Sequence, residues 1–339
     1  MEPIRWQETS LSLLDQRKLP LQVIWNDYTD YRDIISAIRT LEVRGAPSIG
    51  VAAAYAFCLA GLEFQNKPNF AANMKKAKEE LAASRPTAVN LFWALDRMER
   101  CLDKNGAEPS CVPALIQEAK ELDRENLEMN RAMSRYGAET VPMKAHILTH
   151  CNAGPIATGG IGTALGVIIE AFEQGKVEMV YVDETRPLLQ GSRLTAWELQ
   201  QHGVPATLIC DNMAATLMNQ GKIDQVLLGC DRMAANGDFA NKIGTYSVAV
   251  NAHYHGVPFY TVLPSSTIDL TIADGSGIVV EQRDPQEVRT MYGVQTAPTD
   301  IPVYNPAFDV TPHKLLTGAI TEKGVVYNPY KENLAKLFG

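Results

Sequence analysis

The spacing of apolar and polar positions changes its period once along the chain, near Pro142. Before that point the repeat is helical. Tyr31, Ile34, Ile35, Ile38 and Leu41 recur at three- and four-residue steps and predict a helix from Thr29 that stops at Arg44-Gly45. Ala46-Pro47 then opens a second helix running to about Leu62. It is apolar on nearly every face and hence buried, and Pro47 sits in its first turn, where the missing N–H is harmless. Three more helical segments, roughly 69–84, 87–104 and 112–137, follow Pro68. Ahead of all of these, Leu11-Ser12-Leu13-Leu14 and Leu21-Gln22-Val23-Ile24-Trp25 alternate with a period of two and predict a small hairpin or sheet.

After Pro142 the pattern becomes an alternation of strands and helices. Strands are predicted at 145–150, 177–183, 205–209, 224–230 and 258–263, with helices near 155–173, 192–202, 212–220 and 241–255 between them. Alternation of this kind implies a parallel sheet with right-handed crossovers and helices on both faces. Beyond Pro264 the chain is irregular and Pro-rich. There Ile278-Val279-Val280 suggests a further strand, Pro285 to Arg289 a helical turn, and Asn305 to Gly318 a tail packed back on the sheet. The fold class is α/β. A chain of 339 residues exceeds what one core usually supports, so two domains are expected. They are a mainly helical domain at 1–141, with the small β element at its start, and a parallel-sheet domain at 142–339.

Composition changes this picture little. Hydrophobic residues make up 46% and charged residues 21%, as in an ordinary globular protein. The net charge of -8 argues against a nucleic-acid surface but leaves room for a local basic pocket that binds a small anion. The amino terminus lacks a basic region followed by an apolar core, and no apolar run reaches the length of a membrane span, so the expectation is a cytoplasmic protein without membrane contact. The 6 cysteines are scattered with no C-x-x-C pair, which indicates neither a disulfide framework nor a zinc site.

Candidate chemistry collects where strands end. The strand at 224–230 leads into Asp231, and the connection to Asn241 and Lys242, where a helix is predicted to begin, is longer than the roughly two to six residues usual for such loops. Ligands in open α/β sheets bind at this carboxyl edge. Cys151 follows the first strand just ahead of a predicted helix start, where a dipole would favour the thiolate. It is a base or nucleophile on that reading and a small buried hydrophobe on the other. Gln190-Gly191 abuts another helix start, placing an amide within reach of a sugar hydroxyl. In the helical half, Arg44-Gly45-Ala46 sits at a helix amino terminus. There an anion would be favoured, or Arg44 merely solvates the end of the preceding helix. Pro86 forces Arg85 out of helical geometry and fixes it at a junction, either structurally or facing a cleft.

Two cofactor readings fail on spacing. Gly160-x-Gly162 with Gly166 and the acids Asp183-Glu184 mimic a dinucleotide fingerprint, but Gly160 lies about ten residues past the strand that it should follow directly. His253-x-His255 would point to opposite faces of a helix, and no other His, Cys or carboxylate spacing fits a metal. Neither a nicotinamide nor a metal is expected.

Five motifs in one order carry a resemblance over nearly the whole chain. They are Arg44-Gly-Ala-Pro-Ser-Ile-Gly50, Arg85-Pro-Thr-Ala-Val-Asn-Leu91, Cys151-Asn-Ala-Gly154, Thr185-Arg-Pro-Leu-Leu-Gln-Gly-Ser-Arg-Leu-Thr-Ala-Trp-Glu-Leu199, and Gly229-Cys-Asp-Arg232 through Asn241-Lys-Ile-Gly-Thr245. The chain resembles the methylthioribose-1-phosphate isomerases, a family similar in fold to the alpha, beta and delta regulatory subunits of the eukaryotic translation-initiation exchange factor and to ribose-1,5-bisphosphate isomerases. The resemblance implies a helical amino-terminal domain, a Rossmann-like carboxyl-terminal domain, a homodimer, and isomerisation of an aldose 1-phosphate in methionine salvage. By the same resemblance, Cys151 and Asp231 are the catalytic pair, and Arg44, Gly45, Ala46, Arg85, Gln190, Asn241 and Lys242 hold the substrate. None of these positions departs from the family pattern.

The chemistry fits the residues independently. With phosphate on the anomeric carbon, the free-aldehyde route is closed and the ring must open with phosphate attached. This needs an acid at the ring oxygen, assigned to Asp231. It also needs transfer of hydrogen from C2 to C1, by a base through an enol-phosphate or by a direct hydride shift in a dry site; the C2 proton is assigned to Cys151. A regulatory subunit would need no such pair, and a bisphosphate isomerase would need a second cationic pocket.

Overall fold

A computed structural model describes residues 2–86 and 88–339. Met1 and Thr87, which stand in stretches read above, lie outside the described residues. The chain forms two compact units, one from residues up to Ala132 together with Ala153–Gly166, the other from Met133–Asn152 and Val167–Gly339.

The first unit begins with an antiparallel sheet of β1 (Ile4–Gln7), β2 (Ser10–Leu14) and β3 (Trp25–Tyr28), in that order. Helix α1 (Tyr31–Arg39) starts where the Asp30 side chain accepts a hydrogen bond from the Arg32 backbone N–H, and it buries Tyr31, Ile34, Ile35 and Ile38, the predicted face. Helix α2 (Ala46–Phe64) has 19 residues, and α3 (Phe70–Ala82), α4 (Val89–Lys104) and α5 (Val112–Thr140) follow. A short α6 (Pro155–Thr158) belongs to the same unit.

One sequence expectation needs correcting here. Helix α2 is long and apolar enough to cross a membrane by length and composition alone. Yet 83% of its apolar window is buried inside the protein, packed in one core with residues of α1, α3, α4 and α5. A helix without a polar face is stable in water only when neighbours cover it on all sides, as here.

The second unit holds β4 (Ala145–Thr149), α7 (Ala164–Glu173), β5 (Val177–Asp183), α8 (Ala196–Gln201), β6 (Ala206–Ile209), α9 (Ala214–Asn219) and β7 (Gln225–Gly229). Next come β8 (Arg232–Ala234), β9 (Phe239–Lys242), α10 (Thr245–His255), β10 (Phe259–Val262) and β11 (Ile268–Asp269). A two-stranded ribbon of β12 (Thr290–Met291) and β13 (Val294–Gln295) precedes β14 (Phe308–Thr311), β15 (Gly318–Thr321) and β16 (Gly324–Val326).

The main sheet is 7-stranded, in the order β16-β15-β10-β7-β4-β5-β6. All neighbours are parallel except the edge pair β15 and β16. From β4 the chain therefore builds outward one way through β5 and β6, then returns to β7 beside β4 and builds the other way. Right-handed crossovers leading in opposite directions lie on opposite faces of a sheet, so the connections diverge between β4 and β7 and open a crevice at their carboxyl ends.

A second sheet of 4 strands, in the order β11-β8-β9-β14, is appended to that edge. It corrects the expectation that Asn241 and Lys242 open a helix. Both lie on β9, where Asp309 is opposite Asn241 and Phe308 opposite Lys242, and the helix begins only at Thr245. Two other expectations also change. The helix expected over 155–173 is two pieces, α6 and α7, separated at Gly159–Thr163, and no strand forms at 278–280, where Ile278 instead closes a 3-10 turn.

Candidate active site

In the second unit, Cys151 stands two residues beyond β4 and Asp231 two residues beyond β7. These are adjacent parallel strands paired at Ile147 with Gln225 and at Leu148 with Val226. The two candidate groups thus leave neighbouring strands at the same edge of the sheet. The Asp231 N–H donates to the Ala240 carbonyl at 2.9 Å, tying the acid to β9 and so to Asn241 and Lys242.

Cys151 is buried and adopts φ 63. The left-handed region costs a residue with a Cβ of order 1–3 kcal/mol, and such strain concentrates at functional sites. Its backbone is gripped on both sides. The Cys151 N–H donates to the Thr185 Oγ1 at 2.8 Å, and the Thr195 Oγ1 donates to the Cys151 carbonyl at 2.6 Å. Asn152 donates to the Thr195 Oγ1 at 3.1 Å and to the buried Glu198 at 2.5 Å. Because α6 opens only at Pro155 and ends at Thr158, the helix dipole expected behind Cys151 is a single turn starting four residues away. Cys230, another cysteine at this edge, is no competitor. Burial, and then the charge of Asp231, push its thiol well up, so it stays protonated.

After β5 the chain makes a tight structure that carries Gln190. Asp211 accepts from the Thr185 and Arg186 N–H groups at 2.7 Å each, Thr185 and Leu189 have φ 64 and 56, and a π turn runs over Gly191–Thr195. Glycine is required at 191, since a Cβ there would stand 1.6 Å from the Asp183 carbonyl oxygen. The Gln190 side chain is buried, and its Oε1 has no hydrogen-bond partner. A buried amide oxygen left unpaired costs about 1–3 kcal/mol, which is hard to account for unless something else fills the place of a donor.

On β9, Asn241 is buried and donates to the Thr245 Oγ1 at 2.9 Å, while the Lys242 Nζ donates to the Ala307 carbonyl at 3.0 Å and lies 4.8 Å from the centre of the Phe308 ring. Beneath this edge lies a pair that sequence reading passed over. His150 and Asp183 are fully buried, with Nδ1 and Oδ2 2.9 Å apart, and the His150 Nε2 is 2.9 Å from the Ile243 carbonyl. A carbonyl only accepts, so Nε2 carries a proton, and a second proton must lie between Nδ1 and the carboxylate. Burial alone would push the imidazole down, but its hydrogen bond to Asp183 and that carboxylate's charge outweigh it and hold the His150 pKa above its ordinary value. Burial raises the Asp183 carboxyl. The ring, Asp183 and Asp211 offer atoms within 4.8 Å of one another, a spacing that a cation could use. Here protons and backbone amides already occupy it, leaving only the Asp183 Oδ1 without a partner. The available clue was a polar residue directly abutting each apolar strand run.

In the first unit, Gly45 caps α2 with φ 94, Ala46 and Pro47 form its first turn, and Arg44 is buried just ahead of them. A Cβ on Gly45 would stand 2.1 Å from the Ala157 carbonyl oxygen, and the Ser48 Oγ donates to the Ile156 carbonyl at 2.9 Å. The Arg44–Ala46 turn is thereby pinned at the start of the helix, the arrangement that suits an anion. Arg85 is half-buried in the turn between α3 and α4, and its carbonyl accepts from the Ala88 N–H.

Comparison with known proteins assigns the chain to a family. Residues 42–328 match the model of the initiation factor 2 subunit family. The methylthioribose-1-phosphate isomerase of Syntrophotalea carbinolica is 54% identical over 342 residues, covering 100% of this chain and 99% of that protein. The crystal structure of 5-methylthioribose 1-phosphate isomerase from Pyrococcus horikoshii OT3 superimposes with a TM-score of 0.93 at 44% identity, covering 99% of this chain and 95% of the other. That of translation initiation factor eIF-2B, subunit delta, from A. fulgidus gives 0.90 at 42% identity, covering 100% and 99%. The chain belongs to the initiation factor 2 subunit family, alongside the methylthioribose-1-phosphate isomerases.

Proposed function

We propose that this chain isomerises 5-methylthioribose 1-phosphate, an aldose 1-phosphate, to the ketose 5-methylthioribulose 1-phosphate. Full-length identity above half to isomerases of that name supports the reading. The observation that carries it in the structure is the pairing of Cys151 and Asp231 beyond adjacent strands at the sheet's switch point.

In this reading Asp231 serves the ring and hydroxyl oxygens and Cys151 the C2 hydrogen. Arg44, Gly45, Ala46, Arg85, Gln190, Asn241 and Lys242 hold the substrate. The buried, unpaired Oε1 of Gln190 supports its part, because a sugar hydroxyl would supply the missing donor. Burial of Cys151 supports a dry reaction site, the condition of a direct hydride shift. Deuterium at C2 tests for the enol-phosphate: washout into solvent marks that route, whereas a hydride shift, or a shielded base that returns the same hydrogen, carries the label wholly to C1. The same reading makes the protein a cytoplasmic homodimer of methionine salvage, working without metal or nicotinamide. It divides the chain into a helical domain at 1–141 and a Rossmann-like domain at 142–339.

The likeness to translation initiation factor eIF-2B, subunit delta, from A. fulgidus favours a second reading, a regulatory subunit that binds without catalysis. Incubating the purified chain with 5-methylthioribose 1-phosphate and, separately, with ribose 1,5-bisphosphate decides between them. Ketose formed from the first substrate is expected. Turnover of the bisphosphate alone, or of neither, would overturn the proposal.

A further inference from the structure

We infer that Thr185 and Thr195 are positioning residues that together hold Cys151 in its left-handed conformation, so that its side chain is presented at the edge of the sheet. The inference rests on the reading of Cys151 as the group that acts on the C2 hydrogen.

Strand β4 ends at Thr149, so the polar backbone groups of Cys151 have left the ladder while still buried. Without other partners they would be orphans. Two hydroxyls meet them, and each has its one proton accounted for. The Thr185 Oγ1 donates to the Asp183 carbonyl at 3.0 Å, which leaves it an acceptor for the Cys151 N–H. The Thr195 Oγ1 gives its proton to the Cys151 carbonyl and accepts from Asn152, whose amide is itself fixed by Glu198. Neither hydroxyl can reverse without losing two bonds, so the pair specifies one orientation of the peptide groups flanking Cys151.

Both threonines come from one connection, at its two ends. Thr185 stands two residues past β5 and Thr195 closes the π turn. A π turn inserts one residue into a helix and rotates everything after it by about 100°. Here that rotation accompanies the placing of Thr195 and Glu198 toward Cys151. The stretch from Thr185 to Glu198 therefore does two jobs, one through Gln190 and one through the two hydroxyls.

The test is a set of hydroxyl deletions with rescue. Thr185→Val and Thr195→Val should each lower kcat by roughly 10²-fold with KM changed by less than about threefold, because a misplacement near 1 Å costs about that much in rate. The Thr→Ser variants should recover activity to within about threefold, since they keep the donor and acceptor. Should a Val variant fail to fold, Thr195→Cys replaces it, being similar in size with only a weak S–H donor. The order Thr near Ser and far above Cys is expected, and equal activity of Thr and Cys would overturn the inference. Introduced into Cys151→Ala, Thr195→Val should cause no further loss, because its effect runs through the missing side chain. Full activity in the Val variants, with Cys151→Ala inactive, would refute positioning alone. Full activity in Cys151→Ala would instead remove the reading on which the inference rests.

Discussion

Replacing Cys151 by glycine and by alanine isolates the backbone conformation from the thiol. Both variants lack Sγ, so they differ by the single Cβ and by the backbone preferences it imposes at φ 63. An L-residue with a Cβ gives up about 1–2 kcal/mol in the left-handed region, which glycine does not. Glycine gives back about 0.5–1 kcal/mol through its greater freedom in the unfolded chain. The difference predicts Cys151→Gly to be more stable than Cys151→Ala by about 0.5–1 kcal/mol, a reversal of the order found in regular structure. Guanidinium unfolding at constant slope measures it as a higher midpoint for glycine, and a scan should show a separation of about 1–4 °C for a unit of this size. Both variants should have lost about 10²–10⁴-fold in kcat, showing that stability and activity part at this position. Alanine more stable than glycine would mean that the loop relaxes and that no strain is held at Cys151.

Three further outcomes are expected. Gln190→Met removes a buried oxygen that lacks a partner and should raise stability by about 1–3 kcal/mol while raising KM, measured by denaturation and steady-state kinetics; lower stability would mean that the amide is satisfied in the folded protein. His150 faces the acidic groups Asp183, Asp211 and Asp309, and its raised folded pKa means that its contribution is complete below about pH 6.5 and is lost as pH rises through the folded value. The fall in stability from pH 6 upward should therefore be shallower in Asp183→Asn, where the ring loses its hydrogen-bonded carboxylate while burial still acts on it, and parallel curves would refute the charged pair. Gly45→Ala sets a Cβ against a backbone carbonyl at positive φ and should cost at least about 2 kcal/mol, read as a lower denaturation midpoint.

The five expected parallel strands were legible as short apolar runs bounded by turn residues, although only β7 and β10 are buried throughout, β4 and β5 are buried along most of their length, and the edge strand β6 exposes Ala206, Thr207 and Leu208. The helices of the first unit were legible for a similar reason, since Ile34 and Ile38 on α1 or Leu91 and Leu95 on α4 repeat at helical spacing. What escaped were strands defined by distant partners. Phe239–Lys242 carries no run of its own and becomes a strand through pairing with Phe308–Thr311, so its local look of a helix start misled. Gly318–Thr321 joins the main sheet beside Phe259–Val262, yet it follows a Pro-rich segment that reads as tail. The site shows the same division. Motif order pointed to Cys151, Gln190, Asp231, Asn241 and Lys242, but the two threonine hydroxyls and the His150–Asp183 pair exist only as contacts between strand ends, which no local window contains.

The pairing of β9 with β14 also fixes when this protein can become active during its own synthesis. Asp309, which accepts from the Gly244 N–H at the start of α10, lies 65 residues downstream of it. A ribosome adding roughly 5–20 residues per second delivers it about 3–13 s later. Through that interval the strand bearing Asn241 and Lys242 has one bare edge, open to pairing with another nascent chain on the same message. The parallel strand β15 arrives later still. A product terminated after Lys242 but before Phe308 would carry every residue of the proposed site and still lack the strand that holds two of them in line, so such prematurely released chains are inactive by construction.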